Sequence, residues 1–147
     1  MSPSTAQGLL PPSDVEIGQR WIVEMYSVAD AKGITSAVEY LTPEATVYFG
    51  DSRPCHGRHA IERLCQWESA ACVRVAHRIK HIEVLPDRTL VTLMADYHFT
   101  NGVKKTADCS IAWHKRPTDN KASRADIRGD LVEVIRELVS VQGPPDF

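Results

Sequence analysis

The stretch that decides the fold runs from Val73 to Arg116. It reads VRVAHRIKHIEVL (73–85), PDR (86–88), TLVTLMADYHF (89–99), TNG (100–102) and VKKTADCSIAWHKR (103–116). Three long runs rich in β-branched and aromatic residues are separated by two short segments of turn-forming residues. β-Branched and aromatic residues suit a pleated surface, whereas Pro, Asp, Asn and Gly mark turns. The stretch therefore predicts three consecutive antiparallel strands joined by tight hairpins.

The TNG segment predicts how the second and third of these strands pair. It fits a three-residue hairpin loop with Gly102 in the left-handed conformation, so that Phe99 faces Val103. A two-residue Asn-Gly turn would shift the pairing by one residue and turn the third strand over. We prefer the three-residue loop because it separates polar from apolar side chains. One face then carries Asp96, His98, Asp108 and Ser110, and the other carries Val91, Leu93, Ala95, Tyr97, Cys109, Ile111 and Trp113.

Ionisable residues in mid-strand are the unusual feature of this stretch: His77, His81, Asp96, His98, Asp108 and His114. We interpret the polar face as the concave wall of a pocket, where a histidine beside a carboxylate can act as a general acid or base. The candidate catalytic residues are then His77, Asp96, His98 and Asp108. The alternative is that the polar face is a solvated outer surface and the apolar face is the core.

The rest of the chain places helices first and strands later, which is typical of α+β proteins. Ser13 and Glu16 predict a capping box for a helix that reaches about Ala31 and stops at Lys32-Gly33. A short helix over about 35–41, a strand over 45–50 and a helix over about 59–71 follow. Residues 124–134 begin as a strand, and the chain then changes to helical spacing. We therefore predict a cone-shaped barrel of a strongly curved, mostly antiparallel sheet, with three helices of the N-terminal half packed in its concavity.

Composition restricts the class of protein. The 147 residues suit one domain, predicted over 13–141, with a flexible N-terminal segment (1–12) and a C-terminal tail (142–147). The net charge of −2 and the lack of a dense Lys/Arg cluster argue against nucleic-acid binding. Because no run of about 18 apolar residues and no signal-peptide pattern occurs, we expect a cytoplasmic protein without a membrane span. Four cysteines without C-x-x-C spacing suggest reduced thiols.

Three stretches of the sequence each carry a motif that can be compared with known families. LTPEATVYFGDSRPCHGRHAIERL (41–64) has an acidic turn, a strand, a loop, a Gly-Arg and a helix; VAHRIKHIEV (75–84) carries a histidine on the next strand. KASRADIRGDL (121–131) ends a closing hairpin with Asp130. With the Asn-Gly hairpin, they resemble the nuclear-transport-factor-2 superfamily, and within it the SnoaL-like polyketide cyclases and isomerases. The resemblance covers roughly residues 14–132 and implies a fold, whereas function must be argued from the site.

Two branches of that superfamily match the sequence poorly at their functional positions. Against the ketosteroid isomerases, Tyr26 matches the tyrosine of the first helix. The position of their base holds Phe49, and that of their buried acid falls near Ser110 or Ile111. Against the limonene-epoxide hydrolases, Asp96 matches one aspartate of the triad. The arginine position of that triad holds Met94, and its second aspartate position holds Ile127.

Other branches match more of the polar residues. Against the scytalone dehydratases, His77 and His98 match two histidines on successive strands, and Asp108 and Ser110 fall at the serine and asparagine positions. The SnoaL-like cyclases use an acidic residue in the cone as a base, a role that Asp96 or Asp108 would fill. Nuclear transport factor 2 itself is a binding protein, which keeps a non-catalytic role open.

These observations lead to one interpretation with named alternatives. The chain is interpreted as a cofactor-independent isomerase or cyclase that rearranges an apolar natural-product intermediate of polyketide or terpenoid type by acid–base chemistry. The alternatives are a dehydratase or epoxide hydrolase on the same fold, or a small-molecule-binding module. Candidate substrate-binding residues are Tyr26, Tyr48, Phe49, Trp67, Met94 and Ser110.

Partners and metals complete the expectations. His77 and His81 lie four residues apart on one strand, so we expect them on the same face. Hydrogen-bonded histidines explain this pair better than metal ligands do, and we predict no metal. The expected partner is a small-molecule substrate. A homodimer is also expected, because an apolar convex face that includes Tyr97 and Trp113 would need a cover.

Overall fold

The computed structural model describes residues 10–145 as one six-stranded sheet with helices before, between and after the strands. The elements are α1 (Pro12–Lys32), a 3₁₀ helix (Ile34–Tyr40), β1 (Leu41–Phe49), β2 (Cys55–His56), α2 (Arg58–Ala71), β3 (Cys72–Val84), β4 (Thr89–Phe99), β5 (Lys104–His114), β6 (Ala122–Gly129) and α3 (Val132–Gln142). The sheet order is β2-β1-β6-β5-β4-β3, and within this sheet β1 and β6 pair in parallel while the other neighbours are antiparallel. The predicted α+β architecture with a curved, mostly antiparallel sheet is confirmed.

The first helix differs from its prediction at the start and agrees at the end. Its first residue is Pro12, and Ser13 provides no capping hydrogen bond, so the predicted capping box is wrong. Proline is well suited to a first helical turn because its φ is already helical and the missing N–H would have had no partner there. At the other end Gly33 has φ 101°, and its N–H donates to the Ala29 carbonyl.

The second helix and the first strand also differ from their predictions. The predicted second helix is a 3₁₀ helix, and β1 begins at Leu41, earlier than expected, with an irregular pairing to β6 between Leu41 and Thr46. Pro43 lies in that irregular part, where it has no N–H to offer a neighbouring strand. Most of the predicted flexible segment 1–12, and residues 146–147 of the predicted tail, lie outside the described residues.

The three-residue hairpin is confirmed. The Phe99 N–H donates to the Val103 carbonyl (2.8 Å), the Gly102 N–H donates to the Phe99 carbonyl (3.1 Å), and Gly102 has φ 89°. Only glycine adopts that conformation without strain. The resulting register pairs Met94 with Asp108 and Thr92 with Ser110, so Asp96, His98, Asp108 and Ser110 do share one face.

The predicted assignment of the two faces is wrong. The apolar face packs into the core together with Ile22 and Met25 of α1 and Ile61 of α2, and is therefore the concave one. The polar face is the outer surface. The physical reason is that the helices carry apolar stripes, which need an apolar sheet face to cover them. The side chains predicted to be convex are buried instead: Val91, Leu93, Ala95, Tyr97, Cys109, Ile111 and Trp113.

This reversal removes the argument for a homodimer. That argument depended on an exposed apolar patch containing Tyr97 and Trp113, and both side chains are no more than 5% exposed within the single chain. The outer face of β4 and β5 carries mainly polar and charged side chains, among them Asp96, Lys104 and Asp108, so it offers no comparable apolar area. Dimerisation stays a prediction without that support.

An irregularity in β3 separates two histidines that we expected on one face. His77 pairs with Ala95 on the concave side, whereas His81 pairs with Thr92 on the outer side, because the register shifts between Ile79 and His81. One extra residue, Lys80, reverses the side-chain alternation of the strand. His77 and His81 therefore cannot bind one metal ion, and no group of three potential metal ligands occurs within residues 10–145.

No helix in the described part of the chain is long and apolar enough to cross a membrane.

Candidate functional site

The concave face of the sheet and the helices enclose a cavity of about 100 Å³. Its walls are largely apolar and include Met25, Phe49, Leu93 and Ile111. Tyr26, Glu68, His77 and Tyr97 place hydroxyl, carboxyl and imidazole groups in the same walls. Apolar walls with a few polar groups are the usual composition of a small-molecule site.

His77 is hydrogen-bonded to Asp30 at the cavity wall. The Nδ1 atom of His77 lies 2.6 Å from Oδ1 of Asp30, and the His77 backbone N–H donates to Oδ2 at 3.1 Å. An ionised carboxylate can only accept hydrogen bonds, so Nδ1 carries the proton in the neutral imidazole. Nε2 then holds a free lone pair, and it forms no hydrogen bond with any residue of 10–145. Asp30 thus fixes both the tautomer and the ring orientation.

Tyr26 lies against this histidine, with ring centroids 4.9 Å apart. Its hydroxyl oxygen accepts a hydrogen bond from Nε1 of Trp113 at 3.2 Å, and its own O–H donates to no acceptor within residues 10–145. Burial raises the pKa of Tyr26 well above its usual value, so the hydroxyl stays protonated. The cavity therefore contains a free hydrogen-bond donor beside the free nitrogen of His77.

A second polar pair joins α2 to β4. Glu68 is 8% exposed, and its Oε2 accepts a hydrogen bond from the Tyr97 hydroxyl at 3.2 Å. Burial raises the pKa of Glu68 from 4.5 to about 7, although the hydrogen bond from Tyr97 opposes this rise. An acid of that pKa is present in both protonation states near neutral pH.

The cavity lining contains a carboxyl group but no permanently positive side chain among the described residues. Its ionisable side chains are Glu68, His77, two tyrosines and two cysteines, with no lysine or arginine among the described lining residues. Burial raises the pKa of Cys109 to about 11, so this thiol is protonated at neutral pH and is a poor nucleophile. An anionic ligand group would find no fixed cation in this cavity.

Three of the four predicted catalytic residues do not reach the cavity. Asp96 pairs with Arg78 (2.8 and 3.0 Å) and accepts from Thr106 (2.7 Å), and Asp108 pairs with Lys80 (3.0 Å), all on the outer face. His98 lies on the same outer face, opposite Lys104. Their predicted position on the concave face is wrong because the polar face of this sheet is turned to solvent. His77 alone of the four lines the cavity.

The predicted substrate-binding residues divide in the same way. Tyr26 and Phe49 line the cavity. Tyr48 points outward from β1 beneath Arg124, whose guanidinium carbon lies 4.4 Å from its ring centroid. Trp67 donates from Nε1 to the Gly143 carbonyl (3.1 Å) and does not line the cavity, so its predicted role in substrate binding is not supported. Met94 and Ser110 lie on the outer face.

Asp96→Asn is expected to change stability and leave chemistry in the cavity unaffected. The hydrogen bond from Arg78 lowers the pKa of Asp96 to about 2, so the carboxylate is ionised throughout the neutral range. Asparagine loses the two-pronged contact with Arg78, whose side chain is 62% exposed, and we expect a cost of about 1 kcal/mol in unfolding free energy. Urea titration measures it. Asp108→Asn, in a more exposed pair, should cost less; equal costs would contradict this account.

Sequence reasoning missed Asp30 and Glu68, yet both carry a periodic signal. Asp30 is four residues after Tyr26, so the two share one face of α1. Glu68 follows Ile61 and Leu64 at the spacing of a buried helix stripe. A charged residue on an apolar stripe is unusual, because charges are seldom buried without a function or a partner.

Comparisons with solved structures agree with this architecture. An NTF2-like protein of unknown function from Burkholderia pseudomallei superposes with a TM-score of 0.71 at 14% identity, over 83% of this chain and 97% of that chain. A protein from Jannaschia sp. CCS1 assigned as a SnoaL-like polyketide cyclase gives 0.70 at 13% identity, over 92% and 98%.

A third solved structure is an epoxide hydrolase/cyclase-like enzyme with a role in pyran ring formation in the polyether salinomycin. It gives a TM-score of 0.68 at 15% identity, over 79% of this chain and 92% of that chain. No protein-family model matches the sequence, and no curated protein matches it significantly. At these identities the comparisons establish the fold: it is the NTF2-like cone that SnoaL-like cyclases share, as predicted.

Proposed function

We propose that this chain with an NTF2-like fold is a cofactor-independent isomerase or cyclase, which moves protons on an uncharged, apolar carbonyl compound. The observation that carries the proposal is the His77–Asp30 pair, in which Nε2 of His77 is unbonded and the ring lines a largely apolar cavity. A neutral imidazole held in one tautomer by a carboxylate is an effective general base near neutral pH. Of the catalytic residues predicted from the sequence, the proposal keeps His77 and replaces the others.

The first chemical step is removal of a proton from the carbon next to a carbonyl. His77 Nε2 takes the proton, and Asp30 stabilises the imidazolium that forms by accepting from Nδ1 at 2.6 Å. The electrons of the broken C–H bond move toward the carbonyl oxygen, which becomes enolate-like. The free O–H of Tyr26 donates to that oxygen, and a positioned donor in a dry site stabilises such charge strongly.

The walls of the cavity support an uncharged substrate. The described lining residues include no lysine or arginine, so a carboxylate or phosphate would lose its hydration without gaining a counter-ion. A volume of about 100 Å³ is small beside the roughly 300–1,000 Å³ of common ligand sites. We propose that the reacting carbonyl portion of a polyketide- or terpenoid-type compound occupies the cavity.

A dehydratase remains the second candidate, because elimination of water next to a carbonyl begins with the same proton abstraction. The His77–Asp30 pair supports it equally. The two reactions differ in the mass of the product, since a dehydratase product is lighter by one water.

Hydrogen–deuterium exchange tests the proposal without knowledge of the natural substrate. Small uncharged ketones such as cyclohexanone, incubated with the protein in D₂O, should gain deuterium next to the carbonyl, measured by mass spectrometry. His77→Ala should lower this exchange by about 10²–10⁴, the usual effect of losing a positioned base. His81→Ala is the matched control, because it removes an exposed histidine from the same strand on the outer face. Equal exchange by the parent and His77→Ala would contradict the proposal.

A further inference from the structure

Glu68 is a buried carboxyl group that the proposed deprotonation by His77 does not use. It extends from α2 into the wall of the same cavity as His77, and 8% of the residue is exposed. One oxygen, Oε2, accepts from the Tyr97 hydroxyl at 3.2 Å. The other oxygen, Oε1, forms no hydrogen bond with any residue of 10–145. It is not completely buried by the protein either. Because Glu68 lines the cavity, Oε1 is the carboxyl oxygen that is left to bind a ligand there.

The surroundings of Glu68 favour its neutral, proton-bearing form. Within residues 10–145 its hydrogen-bond partner is the neutral Tyr97 hydroxyl, and no cation forms a salt bridge with it. The thiols of Cys55, Cys65, Cys72 and Cys109 are close enough for the charge of Glu68 to act on them. The pKa values of all four thiols are raised, first by burial and also by the charge of Glu68, so the thiols are neutral at pH 7. A carboxyl group in such an environment retains its proton more readily than one in water.

We propose that Glu68 is a second catalytic acid of the cavity, positioned by Tyr97, which delivers a proton to the substrate at a different atom from the one that His77 deprotonates. This inference rests on the proposed function of His77. Two proton-carrying groups of opposite role in one apolar cavity are what a 1,3-proton shift needs, because the enolate formed at one carbon must be protonated at another. The substrate class is accordingly an uncharged ketone with a neighbouring double bond, or one that can form it.

The proton balance closes without an oxidant or a co-reactant. With 3-cyclohexen-1-one as the probe, His77 Nε2 takes a proton from C2, and the electron pair forms a dienolate whose oxygen accepts from Tyr26. The Glu68 carboxyl then gives its proton to C4. The C2–H bond breaks, a C4–H bond forms, and the double bond moves from C3–C4 to C2–C3, next to the carbonyl. The imidazolium of His77 and the carboxylate of Glu68 return to their starting forms by exchanging one proton through solvent.

The decisive experiment measures proton removal at C2 and proton delivery to C4 separately, in variants that each change one residue. Glu68→Gln keeps an oxygen that accepts from Tyr97 but has no proton to give. With 3-cyclohexen-1-one in D₂O, this variant should still exchange hydrogen at C2 within a few-fold of the parent rate. Its conversion to 2-cyclohexen-1-one should fall by about 10²–10⁴. His77→Ala should lose both activities, and Glu62→Gln, at a half-exposed position on the same helix, should lose neither.

The outcomes distinguish a failure of this inference from a failure of the proposed function. Conversion by Glu68→Gln at the parent rate overturns the role of Glu68 and leaves that of His77 standing. Exchange and conversion by His77→Ala at the parent rate overturn the proposed function itself.

A pH profile provides a second readout that does not depend on Glu68→Gln folding well. Conversion by the parent should decline on the alkaline side as Glu68, with a pKa of about 7, loses its proton. Tyr97→Phe removes a hydrogen bond that lowers this pKa. The alkaline decline should therefore move to higher pH in Tyr97→Phe, a shift that loss of packing alone would not produce. An unmoved decline would count against the inference.

Discussion

Asparagine in place of Asp30 is expected to lower the rate of proton abstraction by about 10²–10⁴, with little change in the unfolding free energy. The carboxylate of Asp30 holds the proton on Nδ1 of His77 and stabilises the imidazolium that forms when Nε2 takes a proton. An asparagine can present its NH₂ to Nδ1, which favours the opposite tautomer and leaves Nε2 protonated and unable to act as a base. Losses of about this size follow the same replacement in other carboxylate–histidine pairs.

The measurement is the cyclohexanone exchange rate for four proteins: the parent, Asp30→Asn, His77→Ala and the double variant. Because the two residues act as one unit, the double variant should be about as slow as His77→Ala, and the two effects should not add. Glu24→Gln on the same helix is a suitable control, since its carboxylate is exposed and, among residues 10–145, accepts a hydrogen bond from the Tyr40 hydroxyl alone, at 3.4 Å. Additive losses would mean that Asp30 acts independently of His77 and would contradict the pair.

Glu68→Gln is expected to raise stability at alkaline pH and to reduce its dependence on pH. Burial raises the pKa of Glu68 from 4.5 to about 7 in the folded chain. Between these two values the folded state binds more protons than the unfolded state, so the stability of the parent falls as pH rises through this window. The ionised group costs the folded state about 3 kcal/mol above pH 7 relative to low pH. A glutamine has no such cost.

Urea titrations at pH 5 and pH 8 measure this difference. The parent and Glu68→Gln should have similar unfolding free energies at pH 5, and the variant should be more stable at pH 8 by about 3 kcal/mol. Glu62→Gln, whose side chain is 41% exposed, should keep the pH dependence of the parent. A parent whose stability does not decline relative to Glu68→Gln between these pH values would refute the buried acid.

The stability and rate effects of Glu68→Gln have opposite signs, which makes them informative together. A catalytic acid in an apolar site should destabilise the folded chain when it is ionised and should also be needed for turnover. The gain in stability at pH 8 with loss of conversion would be a direct trade between stability and activity.

The sequence by itself determined the strands, the register of the central hairpin and the α+β class of the fold. Its local signals were sufficient because Gly102 and the three-residue loop set the pairing of β4 and β5 through short-range backbone geometry. The separation into one polar and one apolar face followed from the two-residue period of a strand. Tyr26, Phe49 and His77 were among the candidate site residues and do line the cavity, although His77 lies on the apolar face of the sheet and not on the polar face where it was expected.

Only the tertiary structure decided which face is concave and which polar residues meet. Strand alternation is symmetric about the sheet, so a face bearing Asp96 and Asp108 has the same pattern whether it lines a pocket or faces water. Packing of the helices resolved this, since their apolar stripes need the apolar face. The contact between Asp30 and His77 joins residues far apart in the chain, and the extra residue in β3 that turns His81 outward has no local signature. Such contacts depend on the closed cone, because only the folded chain brings α1, α2 and the sheet together around one cavity.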